Sequence, residues 1–170
     1  YTVKPMTMLW SEQGLASHFR WFDEQGTTLT RIDRASGREE RFAAPAGFVF
    51  HVINAFEEAD ATIMDVVVHH GDVVEALAAN RLLERGTDLG GRHLRWVMRS
   101  GASHVEEICL SSTRHEFPNV DYARHSGRPY RRSWGSATAF GPQQSASAIV
   151  GFDLRNAATT RFGDRGYVIG

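Results

Sequence analysis

Cysteine, long apolar runs and concentrated charge are all scarce in this chain. The single cysteine, Cys109, excludes a disulfide within the 170 residues and fits a reducing compartment. Because Cys109 lies in the apolar run Ile108–Leu110, we expect a buried, unreactive thiol. No apolar stretch reaches the roughly 18 residues that a membrane-spanning helix needs.

The charges are balanced and interleaved. The sequence holds 19 basic and 20 acidic residues, with a formal net charge of −1 at pH 7. A nucleic-acid-binding protein normally carries a basic stripe, and the densest basic cluster here is Arg128, Arg131 and Arg132. We therefore expect no nucleic-acid partner. With 42% apolar and 23% charged residues, the composition is that of an ordinary globular protein.

Short alternating apolar runs separated by turn residues predict an all-β, antiparallel protein. One helix is predicted after Asp72, with its apolar face continuing to Leu83 and its end at Gly86. A second short helix is predicted at Pro5–Ser11. The predicted strands are Thr28–Arg34, Glu39–Ala43, Phe48–Phe56, Ala61–His69, His93–Arg99, His104–Leu110, Tyr130–Trp134, Ser147–Leu154 and Ala158–Phe162.

A hairpin pattern recurs along the chain. The segments Ile32–Phe42 and Phe152–Phe162 share the order apolar strand, Asp, polar turn, second strand and Arg-Phe, with equal spacing. A degenerate third copy spans Leu94–Leu110. Recurring hairpins suit the blades of a β-propeller, which are small sheets arranged around a channel. A β-sandwich with unrelated hairpins is the alternative.

His51 lies in the apolar strand pattern Phe48–Phe56, where alternation places it on one face with Val49, Ile53 and Ala55. We therefore expect its imidazole to be buried, with partners for its nitrogens. It is either a structural histidine satisfied by the backbone or a metal ligand. The propeller favours the ligand, because the innermost strands of several blades converge on the channel.

Glu116 follows the middle hairpin and occupies a comparable place on an inner strand. A carboxylate there could accept the Nδ1–H of a liganding histidine and leave Nε2 for the metal. The alternative is an exposed loop glutamate. The remaining histidines are expected to bind no metal: His69 and His70 end a strand, while His18, His93, His104, His115 and His125 are expected to be exposed in loops or at strand edges.

Several segments carry a family resemblance. Phe48–Val68 resembles the motif F-x-F-H-x-x-N-A-[FYW]-E and the strand that follows it. Glu116–Tyr130 resembles the motif E-[FL]-P-x-[IV]-[ND] with a later G-[RK]-x-Y, and Phe19–Gly37 resembles bacterial members. Taken in this order, the segments are similar to the carotenoid cleavage oxygenases, a family that includes lignostilbene dioxygenases and retinoid isomerases.

The resemblance implies part of a seven-bladed β-propeller with one or two short helices in loops between strands. It also implies an axial Fe(II) held by four histidines, three of which are hydrogen-bonded to glutamates. His51 matches one ligand, and Glu116 matches one of those glutamates. The other three ligands would lie outside the chain. We therefore interpret residues 1–170 as an internal fragment of one propeller domain with both flanks missing, inactive by itself.

The function that the resemblance implies is an Fe(II)-dependent dioxygenase that cleaves a C=C bond of a carotenoid, apocarotenoid or stilbene. Its partners would be that hydrophobic polyene or stilbene and O₂. Two alternatives stay open: a non-catalytic propeller that binds hydrophobic ligands or partner proteins, and an iron-dependent isomerase of the retinoid type. The expected location is cytoplasmic, with peripheral membrane contact of the whole protein left open.

Overall fold

The computed structural model describes residues 2–3, 19–78, 90–141 and 144–162. These residues form strands almost throughout, which confirms the prediction of an all-β chain with few short helices. The strands are β1 (Thr2–Val3), β2 (Phe19–Arg20), β3 (Thr27–Ile32), β4 (Glu39–Ala44), β5 (Phe48–Glu58), β6 (Ala61–His69), β7 (Gly91–Arg99), β8 (Glu106–Asn119), β9 (Arg132–Gly141), β10 (Gln144–Asp153) and β11 (Ala158–Phe162); the helices are α1 (Gly71–Ala78) and α2 (Tyr122–His125), and a 3₁₀ turn spans Asp23–Gln25.

Strands β5 to β11 form one antiparallel meander in which each strand pairs with its neighbours in sequence. The long strand β8 divides this sheet. Its residues up to His115 pair with β7, whereas Glu116 and Asn119 pair with β9. The meander therefore consists of two four-stranded units that share β8, and four strands is the usual content of a propeller blade.

The recurring sequence pattern corresponds to three hairpins, β3–β4, β7–β8 and β10–β11. The equivalent position of Asp in the first and last copies, Asp33 and Asp153, reflects turn chemistry. The backbone N–H of Ser36 donates to Oδ1 of Asp33 at 2.7 Å, and that of Arg155 donates to Oδ1 of Asp153 at 3.2 Å. The hairpins that the pattern predicted are thus present.

The core lies on both faces of β6. Val66 and Val68 pack on one face with Phe42 of the β3–β4 hairpin, while Ile63 and Val67 pack on the other. Four successive residues of β6 from Asp65 to Val68 are buried, so this strand is fixed from both sides. It is the support on which β5 and its histidine lie.

The predicted helix after residue 70 is present as α1, which begins at Gly71 instead of after Asp72. Leu83 and Gly86, and the predicted helix Pro5–Ser11, lie outside the described residues. Within the described part of the chain, no helix has the length and apolar character that crossing a bilayer requires.

The prediction that Cys109 is buried is wrong. The thiol is exposed, as are its neighbours from Glu106 to Ile108. These residues lie on the half of β8 that ends the first four-stranded unit. The described residues bury neither face of this stretch, so the apolar character of Ile108–Leu110 does not bring burial with it.

Candidate metal-ligand site

His51 lies on β5 between two irregularities in the pairing of β5 with β6. The register shifts between Val49 and His51 and again between Val52 and Asn54. Each shift leaves one extra residue on β5 and turns the following side chains away from simple alternation. The imidazole of His51 is 41% exposed as a result, so the predicted burial is wrong, whereas Ile53 is fully buried.

Glu116 begins the part of β8 that pairs with β9, and only 12% of its side chain is exposed. Its Oε2 lies 3.4 Å from Nε2 of His51, slightly beyond a full hydrogen bond. The same oxygen accepts a hydrogen bond from the backbone N–H of Phe117 at 3.1 Å. The structure thus brings the two predicted site residues together, but Nε2 faces the carboxylate, whereas Nδ1 was predicted to do so.

His69 is the member of this cluster that the sequence analysis missed. It ends β6 opposite Phe48, and its side chain is completely buried. Its Nε2 contacts Oε1 of Glu116, so one carboxylate lies between two imidazoles. The sequence placed His69 at a strand end, but only the pairing of β5, β6 and β8 shows which side chain it meets.

Other residues of the two motifs connect β5 to the segment that follows β8. Nδ2 of Asn54 donates to the carbonyl oxygens of His125 and Arg128 at 2.8 and 3.0 Å. The hydroxyl of Tyr122 donates to the carbonyl oxygen of Ile53 at 2.9 Å. Because His51 is on β5 and Glu116 lies near the end of β8, these bonds help to fix the distance between the two.

A buried ion pair adds a further connection. The carboxylate of Asp65 on β6 is fully buried and accepts two hydrogen bonds from Arg95, at 2.7 and 2.9 Å. The hydroxyl of Tyr130 donates to the same carboxylate at 2.6 Å. Burial, together with the charge of Asp65, raises the pKa of Tyr130 above its usual range, while the hydrogen bond with Asp65 raises the pKa of Arg95. Asp65 is thereby satisfied, and the end of the second motif is held against β6.

Two histidines that were predicted to be exposed are fully buried. The rings of His93 and His115 lie 5.4 Å apart between centroids, and both contact the ring of Phe152. Burial, reinforced by His115 and Arg95, lowers the pKa of His93 to about 3, and burial also lowers the pKa of His115. The prediction failed because β7 starts earlier and β8 ends later than expected, which places both residues inside paired strands.

Three of the remaining histidines are at least partly exposed. His70 and His104 are exposed, and Nδ1 of His125 is 3.0 Å from the carbonyl oxygen of Pro129. His18 lies outside the described residues. Among the residues that the structure describes, no group of three or more His, Cys, Asp or Glu side chains is arranged to hold a metal ion.

Aromatic side chains flank His51. The ring centroids of Phe117 and Phe50 lie 5.7 and 6.4 Å from that of the imidazole, and both phenylalanines are substantially exposed, at 70% and 46%. Phe117 has a φ of 50°, which is unusual for a bulky residue. This conformation places its ring beside His51 and its N–H on Glu116. Open apolar surface next to a half-exposed imidazole suits an apolar ligand.

Comparisons with known proteins give a family match over nearly the whole chain. Residues 1–169 match the family described as retinal pigment epithelial membrane protein. The chain is 27% identical to the apocarotenoid-15,15'-oxygenase of Synechocystis sp. over 161 residues, which is 94% of this chain and 33% of that protein. It is 26% identical to the carotenoid isomerooxygenase of Galleria mellonella over 144 residues, 76% of this chain and 28% of that protein. It is 36% identical to lignostilbene-alpha,beta-dioxygenase isozyme III of Sphingomonas paucimobilis over 107 residues, 55% of this chain and 20% of that protein.

Solved structures show the same fold. A mutant of the Synechocystis apocarotenoid oxygenase (ACO) superposes with a TM-score of 0.76 at 25% identity, covering 98% of this chain and 35% of that chain. The cobalt-substituted form of the same enzyme gives the same TM-score and identity, with coverage of 97% and 35%. ACO is a β-propeller enzyme, which confirms the predicted β-propeller fold, while the number of blades stays a prediction. The chain spans about a third of the length of these relatives.

Proposed function

Because the chain belongs to the retinal pigment epithelial membrane protein family, we propose that the whole protein is an Fe(II)-dependent dioxygenase. It would use O₂ to cleave a C=C double bond of a carotenoid, an apocarotenoid or a stilbene. Relatives named for apocarotenoid and lignostilbene oxygenation support this class of substrate. The observation that carries the proposal is the approach of Glu116 to His51 across the two units of the sheet.

The residues present fit one side of an iron site. Imidazole is a suitable ligand for iron, and a liganding histidine normally has its second nitrogen held by a carboxylate or a carbonyl. Glu116 faces one nitrogen of His51 in this way, and whichever nitrogen it engages, the other can bind the metal. We propose that three further histidines complete the set at the axis of a seven-bladed propeller. The cobalt-substituted form of ACO supports a metal in this fold.

Iron, when bound, supplies the oxygen chemistry that cleaves the double bond. Glu116 limits rotation of the His51 imidazole, and the N–H of Phe117 helps to hold the carboxylate in place. The rings of Phe50 and Phe117 give a flat, apolar substrate a surface beside the imidazole, and a substrate bound there would exclude water from it. The part played by these residues is positioning and exclusion of water.

The proposal is tested in the whole protein with His51→Ala and Glu116→Gln, and with His104→Ala as the control on an exposed histidine. His51→Ala removes a ligand, so bound iron and cleavage should both be lost. Glu116→Gln should reduce iron affinity or activity roughly 10–100-fold, because the imidazole loses its charged partner. His104→Ala should resemble the wild type. Full iron occupancy in His51→Ala would refute the assignment.

The name of one relative, carotenoid isomerooxygenase, favours isomerisation as a second candidate activity. Products formed under ¹⁸O₂ separate the two reactions. Cleavage yields two carbonyl fragments with incorporated label, whereas isomerisation alone yields an unlabelled product of unchanged mass. A whole protein that binds no iron and converts neither substrate class would instead favour a ligand-binding propeller.

A further inference from the structure

The second imidazole on Glu116 has no place in the site proposed so far. That site uses His51 as a ligand and Glu116 as its partner, and His69 is neither. Yet His69 is completely buried, and its Nε2 contacts Oε1, the oxygen of Glu116 that does not face His51. Burying an imidazole is costly unless its nitrogens find partners, and Glu116 is the partner of Nε2.

The hydrogen-bonding capacity of Glu116 explains the arrangement. A carboxylate only accepts hydrogen bonds, and one that is 12% exposed needs donors at both oxygens. Oε2 accepts a hydrogen bond from the backbone N–H of Phe117 and faces Nε2 of His51. Oε1 contacts Nε2 of His69. Nε2 of both rings therefore faces the carboxylate, and each carboxylate oxygen lies next to a different histidine.

The ring of His69 is itself held firmly. Phe50 meets it edge to face, with 5.4 Å between the centroids. On the other side, a Cβ added to Gly91 of β7 would lie 3.0 Å from Nε2 of His69 and 2.5 Å from Cγ1 of Val67, so glycine leaves room for the ring. His69 thus lies in a fixed slot at the end of the buried strand β6, whereas Glu116 has a longer side chain with more rotatable bonds.

We propose that His69 is a positioning residue for the metal site: it anchors Oε1 of Glu116 and thereby aims Oε2 at His51. This inference rests on the proposed function, since it gives His69 a role only if His51 binds a metal. His69 itself would bind no metal. Without it, the carboxylate could rotate away from His51, and the ligand would lose its orientation.

The test compares two polar substitutions in the whole protein, His69→Gln and His69→Asn. The amide nitrogen of Gln reaches the place of Nε2 and can still donate to Glu116, whereas the Asn side chain is too short to bring its amide nitrogen there. The probe is Co(II) alone, added to metal-free protein, with affinity and the visible Co(II) spectrum as readouts. Urea unfolding of the metal-free variants reports any general loss of stability.

We expect His69→Asn to weaken Co(II) binding about 10-fold and to alter the spectrum as Glu116→Gln does, because both disturb the same carboxylate. His69→Gln should retain most of the affinity and the wild-type spectrum. The double variant His69→Asn/Glu116→Gln should bind no more weakly than Glu116→Gln, since His69 acts through Glu116.

Equal Co(II) affinity in His69→Asn and the wild type would overturn the inference. So would equal losses in His69→Asn and His69→Gln, or a double variant in which the two losses add in full. His51→Ala distinguishes the two levels of the proposal. If His51→Ala binds Co(II) normally, the proposed function fails; if it loses Co(II) while His69→Asn does not, only the role of His69 fails.

Discussion

Lowering the pH from 7 to 5 should destabilise the whole protein, and the share that comes from His93 follows from the structure. The ring is fully buried, and neither of its nitrogens has a hydrogen-bond partner among the described residues. Burial, with His115 and Arg95 nearby, lowers its pKa from 6.5 to about 3. His93 is therefore neutral in the folded protein throughout this pH range, whereas in the unfolded chain it takes up a proton.

The sign and size of the effect follow from that proton. Between pH 6.5 and about 3, the unfolded chain binds a proton at His93 that the folded chain does not, so the free energy of unfolding falls as the pH falls. Each pH unit in this window costs up to ~1.4 kcal/mol, and the step from pH 7 to pH 5 removes about 2 kcal/mol. The contribution of His93 to the free energy of unfolding is fully present above pH 6.5 and is lost as the pH falls toward about 3. The lowered pKa of His115 adds to the loss in the same direction.

Urea unfolding of the wild type and of His93→Leu, each at pH 7 and pH 5, measures this share. Leucine is apolar and does not titrate, so the variant should lose about 2 kcal/mol less than the wild type over the interval. His104→Leu, which removes an exposed histidine, should behave as the wild type does. Equal pH dependence in the wild type and His93→Leu would contradict a buried, neutral His93.

Two further substitutions test the contacts around the site. Tyr130→Phe removes the hydrogen bond to the buried carboxylate of Asp65 and should lower the free energy of unfolding by about 1.5–3 kcal/mol in urea; an unchanged value would contradict the contact. Gly135→Ala places a Cβ 2.5 Å from Cδ2 of His115 and 2.9 Å from the carbonyl oxygen of Glu116. It should lower the free energy of unfolding by about 1–3 kcal/mol and weaken metal binding in the whole protein. Gly151→Ala is the control, since its nearest neighbour would be 3.5 Å away, and equal effects of the two would refute the packing argument.

Strand positions were predictable where a buried apolar run or flanking turn residues mark them. The bounds of β6, which is largely buried, and of β11, whose five residues are all exposed, are those predicted from the sequence. The prediction failed at β8, which was expected to end at Leu110 and continues to Asn119. The added stretch is polar and changes its partner from β7 to β9, so it has no continuous apolar face for a period of two to reveal.

The candidate site was predictable only in its two motif residues. The exposure of His51 depends on the two shifts in the pairing of β5 with β6, and a bulge is a property of two strands together. The contact of His69 with Glu116 depends on which strand ends lie side by side. The local sequence contains the motifs around His51 and Glu116. It does not show where the register of two strands shifts or which strand ends lie side by side.

The spacing of His51 and Glu116 depends on contacts between the two units of the sheet rather than on either unit alone. His51 belongs to the first unit and Glu116 begins the second, so a motion of one unit against the other changes their distance directly. The hydrogen bonds of Asn54 and Tyr130 cross from the first unit to the segment after Glu116. The fully buried positions around Ile53 pack against the same segment. If His51 binds a metal as proposed, motif residues that contact no metal should therefore affect metal binding, because they hold the carboxylate of Glu116 close to the imidazole.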